Sequence, residues 1–132
     1  MDYYFTKFLK GRFEAIEQQL IKLLKHEGFG VLSQIDMQLT LKEKLDVDFR
    51  KYKILGACNP PFAYEALLAE DKIGTMLPCN FIIQEHEKDH IEVSAVNPIV
   101  SMAAVKNDVL ENVAQTVTEK LKNVINTLEN ET

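Results

Sequence analysis

The last part of the chain carries the pattern that most limits the possible folds. Eight apolar residues recur there at helical spacing and fall on one side of a helix: Leu110, Val113, Ala114, Val117, Leu121, Val124, Ile125 and Leu128. A second stripe of this kind runs from Phe13 to Leu24 and is followed by Gly28, a residue suited to helix C-termini. A helix with a single apolar stripe must bury it against another layer. The chain therefore needs a layer that both helices can cover.

Five segments have the composition and alternation of β-strands and predict that layer. They cover residues 3–9, 29–37, 52–58, 79–86 and 90–97, and the last two flank a short polar turn that indicates an antiparallel hairpin. Sequential strands usually lie next to one another, and helices cover the apolar face of such a sheet. The predicted fold class is α+β: one domain, residues 1–132, with two long helices on one face of a two-layer, mostly antiparallel five-stranded sheet.

Local signals predict the remaining connections. A capping-box pattern, Thr40 to Glu43, predicts a short helix that begins at Leu41. Asn59 followed by Pro60 predicts another, with the Asn59 side chain as its cap. The Asn- and Glu-rich end of the chain is expected to fray.

The two faces of the sheet are expected to differ. One parity of the hairpin strands is apolar and the other mixed, and the mixed one contains Asn80, Gln84, Glu92 and Ser94. In the segment 29–37, Val31 and Ile35 are expected to face one way, whereas Gln34 and Asp36 join the mixed face. Such a face is open to three interpretations: a solvated surface, a homodimer interface, or the floor of a ligand cleft.

Charge and cysteine content narrow the classes of partner. The 132 residues carry a formal net charge of −5, and Arg12 and Arg50 are the only arginines, so nucleic acid is not an expected partner. No segment approaches the ~20 apolar residues that span a membrane, and no signal peptide is evident. Two cysteines are too few for a disulfide framework. A cytoplasmic location with free, metal-bound or transiently oxidised thiols is expected.

The stretch LGACNPPFAYEALLAEDKIGTMLPCNF contains both cysteines. Cys58 ends one predicted strand and Cys79 begins the next, so antiparallel pairing would bring the thiols together. Cys58 also precedes a helix, where the positive end of the helix dipole favours a thiolate. The pair permits nucleophilic attack, a reversible disulfide or ligation of a soft metal ion. The alternative is that both cysteines are small buried side chains that only pack.

Three polar residues accompany the cysteines as candidates for a site. Asn59 and Asn80 each follow a cysteine, and they either have local structural roles or orient a ligand at one edge. Asp36 is either an acid, base or metal ligand beside that edge, or a capping or solvent-exposed residue. The three histidines have no metal-ligand spacing, and no motif identifies a cofactor.

Several segments together resemble a known family. The stretches EGFGVLSQIDMQLTLKEKLDVDFRKYKILGACNPPFAYEAL, IGTMLPCNFII and VSAVNP are similar to the bacterial and archaeal domain-of-unknown-function family 302. The resemblance implies a strand-helix-four-strand-helix fold, similar to a half-domain of the TATA-binding-protein type, and a homodimer. It implies no DNA binding and supplies no catalytic residues. One departure is Asp46, where the family often has Gly.

Three functions remain open at this stage. The first is a small dimeric module that binds a small ligand or soft metal ion at the edge formed by Cys58, Asn59, Cys79 and Asn80, with Asp36 as a neighbour. The second is a thiol-dependent enzyme or redox sensor, with Cys58 as the attacking thiolate and Cys79 as its resolving partner. The third is an interaction protein whose cysteines only pack. No general base is evident near the thiols, so whether the chain is an enzyme is left open.

Overall fold

The computed structural model describes all 132 residues. The elements, numbered in chain order, are β1 (Tyr4–Lys10), α1 (Phe13–His26), β2 (Gly30–Asp36), α2 (Met37–Leu45), β3 (Tyr52–Cys58), α3 (Pro60–Ala69), a short 3-10 turn (Ile73–Met76), β4 (Cys79–Glu87), β5 (His90–Val96), α4 (Pro98–Ser101) and α5 (Asp108–Thr127). None of the helices is both long enough and apolar enough to cross a membrane.

The five strands form one sheet in the order β1-β5-β4-β3-β2, and every neighbouring pair is antiparallel. The long helices α1 and α5 both pack on one face of this sheet. Their apolar stripes meet the inward parity of the hairpin, so that Leu20, Leu121, Phe81 and Val93 are fully buried. The predicted α+β class and element order are confirmed, and the sheet is antiparallel throughout.

An irregularity in β2 changes which residues face the helices. Val31 lies opposite Ala57, but Ser33 lies opposite Gly56, so Leu32 is an extra residue in the ladder. Such a bulge inverts the alternation of every residue beyond it. The simple alternation assumed for this strand therefore holds only as far as Val31.

Beyond the bulge, the predicted faces of β2 are wrong. Ile35 lies opposite Ile54 on the face away from α1 and α5, which we call the open face. Gln34 lies opposite the buried Leu55, and Asp36 lies opposite Lys53, so both are on the helix side. The extra residue is the cause, because it exchanges the two parities.

The helix α2 begins earlier than predicted. It starts at Met37 instead of Leu41, because the Asp36 carboxylate accepts a hydrogen bond from the Leu39 N–H at 3.0 Å and caps the helix. At its other end, Asp46 adopts left-handed backbone angles, with φ 53° and ψ 40°. Glycine adopts this conformation without cost, whereas Asp46 is one of the few other residue types that tolerate it.

The C-terminal tail is held in place, contrary to the expectation that it frays. The Glu129 N–H donates to Gln19 Oε1 at 2.7 Å, and the Glu131 N–H donates to the Lys10 carbonyl at 2.8 Å. Arg12 Nε donates to the Glu131 carboxylate at 2.9 Å. The tail therefore ties α5 to β1 and to the start of α1.

Candidate functional site

The pairing of β3 with β4 brings the two cysteines to one end of the sheet. Cys79 lies directly opposite Ala57, the neighbour of Cys58 in the chain. Both cysteines are free. The topology therefore brings two cysteines to the same end of the sheet, although a helix and a turn separate them in the sequence.

Both cysteines line an apolar cavity between the sheet end and the helices. Its walls come from the ends of β3 and β4, from α3, from α5 and from the turn after α4, and 12 of its 15 lining residues are hydrophobic. Phe62, Leu77 and Val113 are among them. The cavity volume is about 30 Å³. This exceeds the ~10–15 Å³ that one water molecule needs and is far below the ~300–1,000 Å³ of pockets for organic ligands.

The two thiols differ in their surroundings. Cys79 is 8% exposed, whereas Cys58 is half-buried at the rim. Burial raises the pKa of Cys79 from 9.0 to about 11, and the nearby charge of a Cys58 thiolate adds to this effect. Cys79 is therefore a neutral thiol at physiological pH in the free protein.

Asn59 lines the same cavity but does not cap α3 with its side chain. It occupies the N-cap position before Pro60, yet no helix N–H donates to it. Its Nδ2 donates instead to the Glu27 carbonyl at 3.2 Å, at the C-terminus of α1. Gly28, with φ +85°, lies beside it, and a Cβ there would be 3.1 Å from Asn59 Nδ2. Asn59 therefore fastens the end of α1 to the rim of the cavity.

The remaining two predicted residues do not join this site. Asn80 is exposed and lies opposite Gly56 on the open face, so its side chain is on the other side of the sheet from the cavity. Asp36 is opposite Lys53, six residues along β2 from the end beside Cys58, which is about 20 Å at ~3.3 Å per residue. The prediction that Asp36 neighbours the cysteine edge is wrong, because it caps α2 at the far end of the strand.

Met102 is a site residue that the sequence reasoning missed. It follows α4, is 8% exposed and lines the cysteine cavity. It contributes a third sulfur to the walls. No local pattern marks it, because its position depends on how the turn between α4 and α5 packs over the sheet end.

The open face contains a hydrogen-bonded polar cluster. The Glu92 carboxylate accepts from Thr6 Oγ1 at 2.6 Å and lies 2.8 Å from His86 Nε2. Thr6 and Ser94 share a further hydrogen bond of 2.7 Å. Although this face lies away from α1 and α5, the Glu92 side chain is only 14% exposed. The polar groups here are satisfied by one another.

An apolar row adjoins this cluster. The pairing registers place Ile35, Ile54 and Ile82 side by side across β2, β3 and β4, and the same row continues to Ser94 and Thr6. Ile35 is 45% exposed at the sheet edge. The open face is therefore divided into an apolar half and a polar half.

The histidine and acidic side chains do not cluster in this structure. No group of three or more His, Cys, Asp or Glu side chains is arranged to hold a metal ion. No ionisable group other than the two thiols lines the cysteine cavity. What this site can offer is sulfur and apolar contact.

Comparison with known proteins agrees with this architecture. The family model described as domain of unknown function DUF302 matches residues 5–128. A crystal structure of an uncharacterized conserved protein DUF302 from Bacillus stearothermophilus superimposes with a TM-score of 0.89. The two sequences are 25% identical over 98% of this chain and 100% of that one. No curated protein matches the chain significantly.

Proposed function

This chain belongs to the DUF302 family, and we propose that it is a small binding module whose site is the cysteine cavity. The observation that carries the proposal is that both thiols of the chain line one apolar cavity, although a helix and a turn separate them in sequence. An apolar enclosure with a few convergent functional groups is the usual form of a binding site. The reduced thiols suit the cytoplasmic location that we propose.

The cavity's size restricts what it can hold. At about 30 Å³ it accommodates an ion or a very small molecule without rearrangement. An organic ligand of ordinary size would have to displace side chains from the α3 and α5 walls. The proposal therefore favours a small, thiophilic ligand over a large cofactor.

Two observations favour binding over thiol catalysis. The high pKa of Cys79, about 11, keeps it protonated, and a thiol reacts as a nucleophile or resolving partner only as the thiolate. In addition, the cavity lining contains no His, Asp, Glu or Lys that could act as a general base toward Cys58. A redox pair would need a thiolate at neutral pH or a general base beside the thiols.

Native mass spectrometry of protein purified without oxygen or chelator tests the proposal. The wild type should carry a bound mass that is lost in Cys58→Ala and in Cys79→Ala. Asn80→Ala is the matched control, because Asn80 lies at the same end of the sheet but on the open face, and it should keep the bound mass. A bound mass that persists in both cysteine variants, or a wild type that carries none, would contradict the proposed site.

A second candidate function, as an interaction protein, concerns the open face. We propose that a second copy of the chain covers it and forms a homodimer. The apolar row of Ile35, Ile54 and Ile82 supports this, because a two-fold axis can set one row against the other. The adjacent polar cluster already satisfies its own hydrogen bonds, so little polar desolvation is left uncompensated.

Sedimentation velocity tests the dimer. Ile35→Lys should convert a dimer into a monomer, because it places a charge in the apolar row. Leu68→Lys is the control, since Leu68 is equally apolar and 70% exposed but lies on α3. If both variants sediment like the wild type, the open face is not the interface.

A further inference from the structure

We propose that Cys58, Cys79 and Met102 form a binding site for copper(I). The inference rests on the proposed function of the cavity and names the class of its ligand. The three sulfur-containing residues line the same cavity, and the charge of Cys58 acts on the Cys79 thiol. The only other polar side chain in the lining is Asn59, whose amide already donates to the Glu27 carbonyl. Besides sulfur, the side chains of the lining offer only the Asn59 Oδ1 oxygen, a hard ligand of the kind that suits magnesium or calcium.

The donor set selects the kind of metal. Thiolate and thioether ligands favour soft ions, copper(I) above all, whereas calcium and magnesium require oxygen ligands. Structural zinc requires four Cys, His or acidic ligands, and iron–sulfur clusters are held by four cysteines. The cavity has two cysteines and no His, Asp or Glu, so it meets neither requirement. Copper(I) accepts a small number of soft ligands, which is what these walls provide.

The size and polarity of the cavity also fit a bare ion. Its volume of about 30 Å³ leaves room for an ion but not for an ion with a shell of waters or an organic chelate. Thiolate ligands supply the negative charge that a cation needs in this apolar space: one thiolate neutralises copper(I), and two leave a net charge of −1. Each thiol that binds as a thiolate releases its proton to water. The copper remains copper(I), so no oxidant or reductant is needed.

Met102 also connects the cavity to the surface. It lines the cysteine cavity and, on its other side, a cleft of about 280 Å³ between α5 and the turn that precedes it. Lys106 and Glu111 border that cleft, which is more polar than the cavity. Methionine is unbranched and flexible, so it can move aside and also approach an ion with its thioether. Met102 therefore borders both the cysteine cavity and the more polar cleft.

Anaerobic competition between the protein and the copper(I) chelator bathocuproine disulfonate tests the site. The wild type should take up one copper(I) per chain. Cys58→Ala and Cys79→Ala should lose this binding, and Met102→Leu should weaken it about tenfold or more, as loss of a ligand or its support typically does. Met37→Leu is the matched control, because Met37 begins α2 at the other end of the sheet. Thermal unfolding of each copper-free variant checks that it is folded.

X-ray absorption at the copper edge counts the sulfur neighbours of the ion. This number depends on Met102 only if Met102 is a ligand, and not if it only supports the fold. The wild type should show only sulfur neighbours, and their number should fall by one in Met102→Leu. A shell of nitrogen or oxygen, or equal copper affinity in all five proteins, would overturn the copper(I) site. So would a Met102→Leu variant that matches the wild type in both affinity and sulfur number, because the third ligand would then be wrong.

The outcomes separate this inference from the proposed function. A bound organic mass that disappears in Cys58→Ala, together with copper affinity that no variant changes, would retain the binding site and reject copper. The absence of any cysteine-dependent ligand, metal or organic, would reject both.

Discussion

The buried thiol of Cys79 should make the metal-free protein lose stability at high pH. Its pKa is raised from 9.0 to about 11 by burial and by the neighbouring Cys58. Below about pH 9, the folded and the unfolded chain both hold the proton, so this group adds no pH dependence. Between about pH 9 and pH 11, the unfolded chain loses the proton while the folded chain keeps it, so unfolding becomes easier. Above about pH 11 both states have lost the proton, and the free energy of unfolding falls no further through this group.

The size of this loss follows from the pKa difference. A rise from 9.0 to about 11 is about two pH units, and each unit corresponds to ~1.4 kcal/mol, so the free energy of unfolding should fall by roughly 2–3 kcal/mol. That is a large part of the ~5–15 kcal/mol by which domains are usually stable.

Urea unfolding in the presence of a chelator, from about pH 8 to about pH 11, measures this effect. Tyrosines and lysines titrate in the same range, so the comparison is between the wild type and Cys79→Ala, which share all of them. The difference between their unfolding free energies should shrink as the pH rises. Cys58→Ala should show a narrower window, because it removes the charge that contributes to the raised pKa. Parallel curves for the wild type and Cys79→Ala would refute the reasoning.

Three substitutions test other features of the fold. Asp36→Ala should lower the free energy of unfolding by about 1 kcal/mol through loss of the α2 cap, as urea unfolding would show, and leave the ligand content unchanged; a variant that loses its ligand would return Asp36 to the site. Gly56→Ala should cost about 1–3 kcal/mol, because the new Cβ would clash with Ser33 Oγ and lie 2.7 Å from Pro78 Cγ. An unchanged denaturation midpoint would show that this packing yields easily. Thr118→Val should raise the thermal midpoint by a few degrees, about 1 kcal/mol, because the buried Thr118 hydroxyl has no hydrogen-bond partner; a lower midpoint would mean that the hydroxyl is satisfied in solution.

The two thiols have a protonated state in the free protein and a metal-bound state in the copper(I) protein. In the free protein the apolar surroundings keep Cys79 protonated. A bound cation supplies the positive charge that these surroundings lack, so metal and proton compete for the sulfur. Copper affinity should accordingly increase as the pH rises within the range in which the protein is stable.

The sequence by itself determined the two long helices, the five strands and the class of the fold, whereas α4 and the start of α2 were not predicted. The stripes of α1 and α5 and the alternation of β4 and β5 are local periodicities, and each dictates which side of an element must be buried. Their order then leaves few assemblies other than a sheet with both long helices on one face. The proximity of Cys58 and Cys79 followed as well, because consecutive antiparallel strands meet at their shared end.

Only the tertiary structure decided which residues lie together at the cavity and which candidate residues lie elsewhere. The bulge at Leu32 depends on packing against β3, and it moves Asp36 to the helix side. Met102 reaches the cavity because the turn between α4 and α5 folds back over the end of the sheet. Asn59 turns away from its own helix because the carbonyl of Glu27 arrives beside it. These outcomes depend on contacts between residues far apart in the chain, and no local periodicity contains that information.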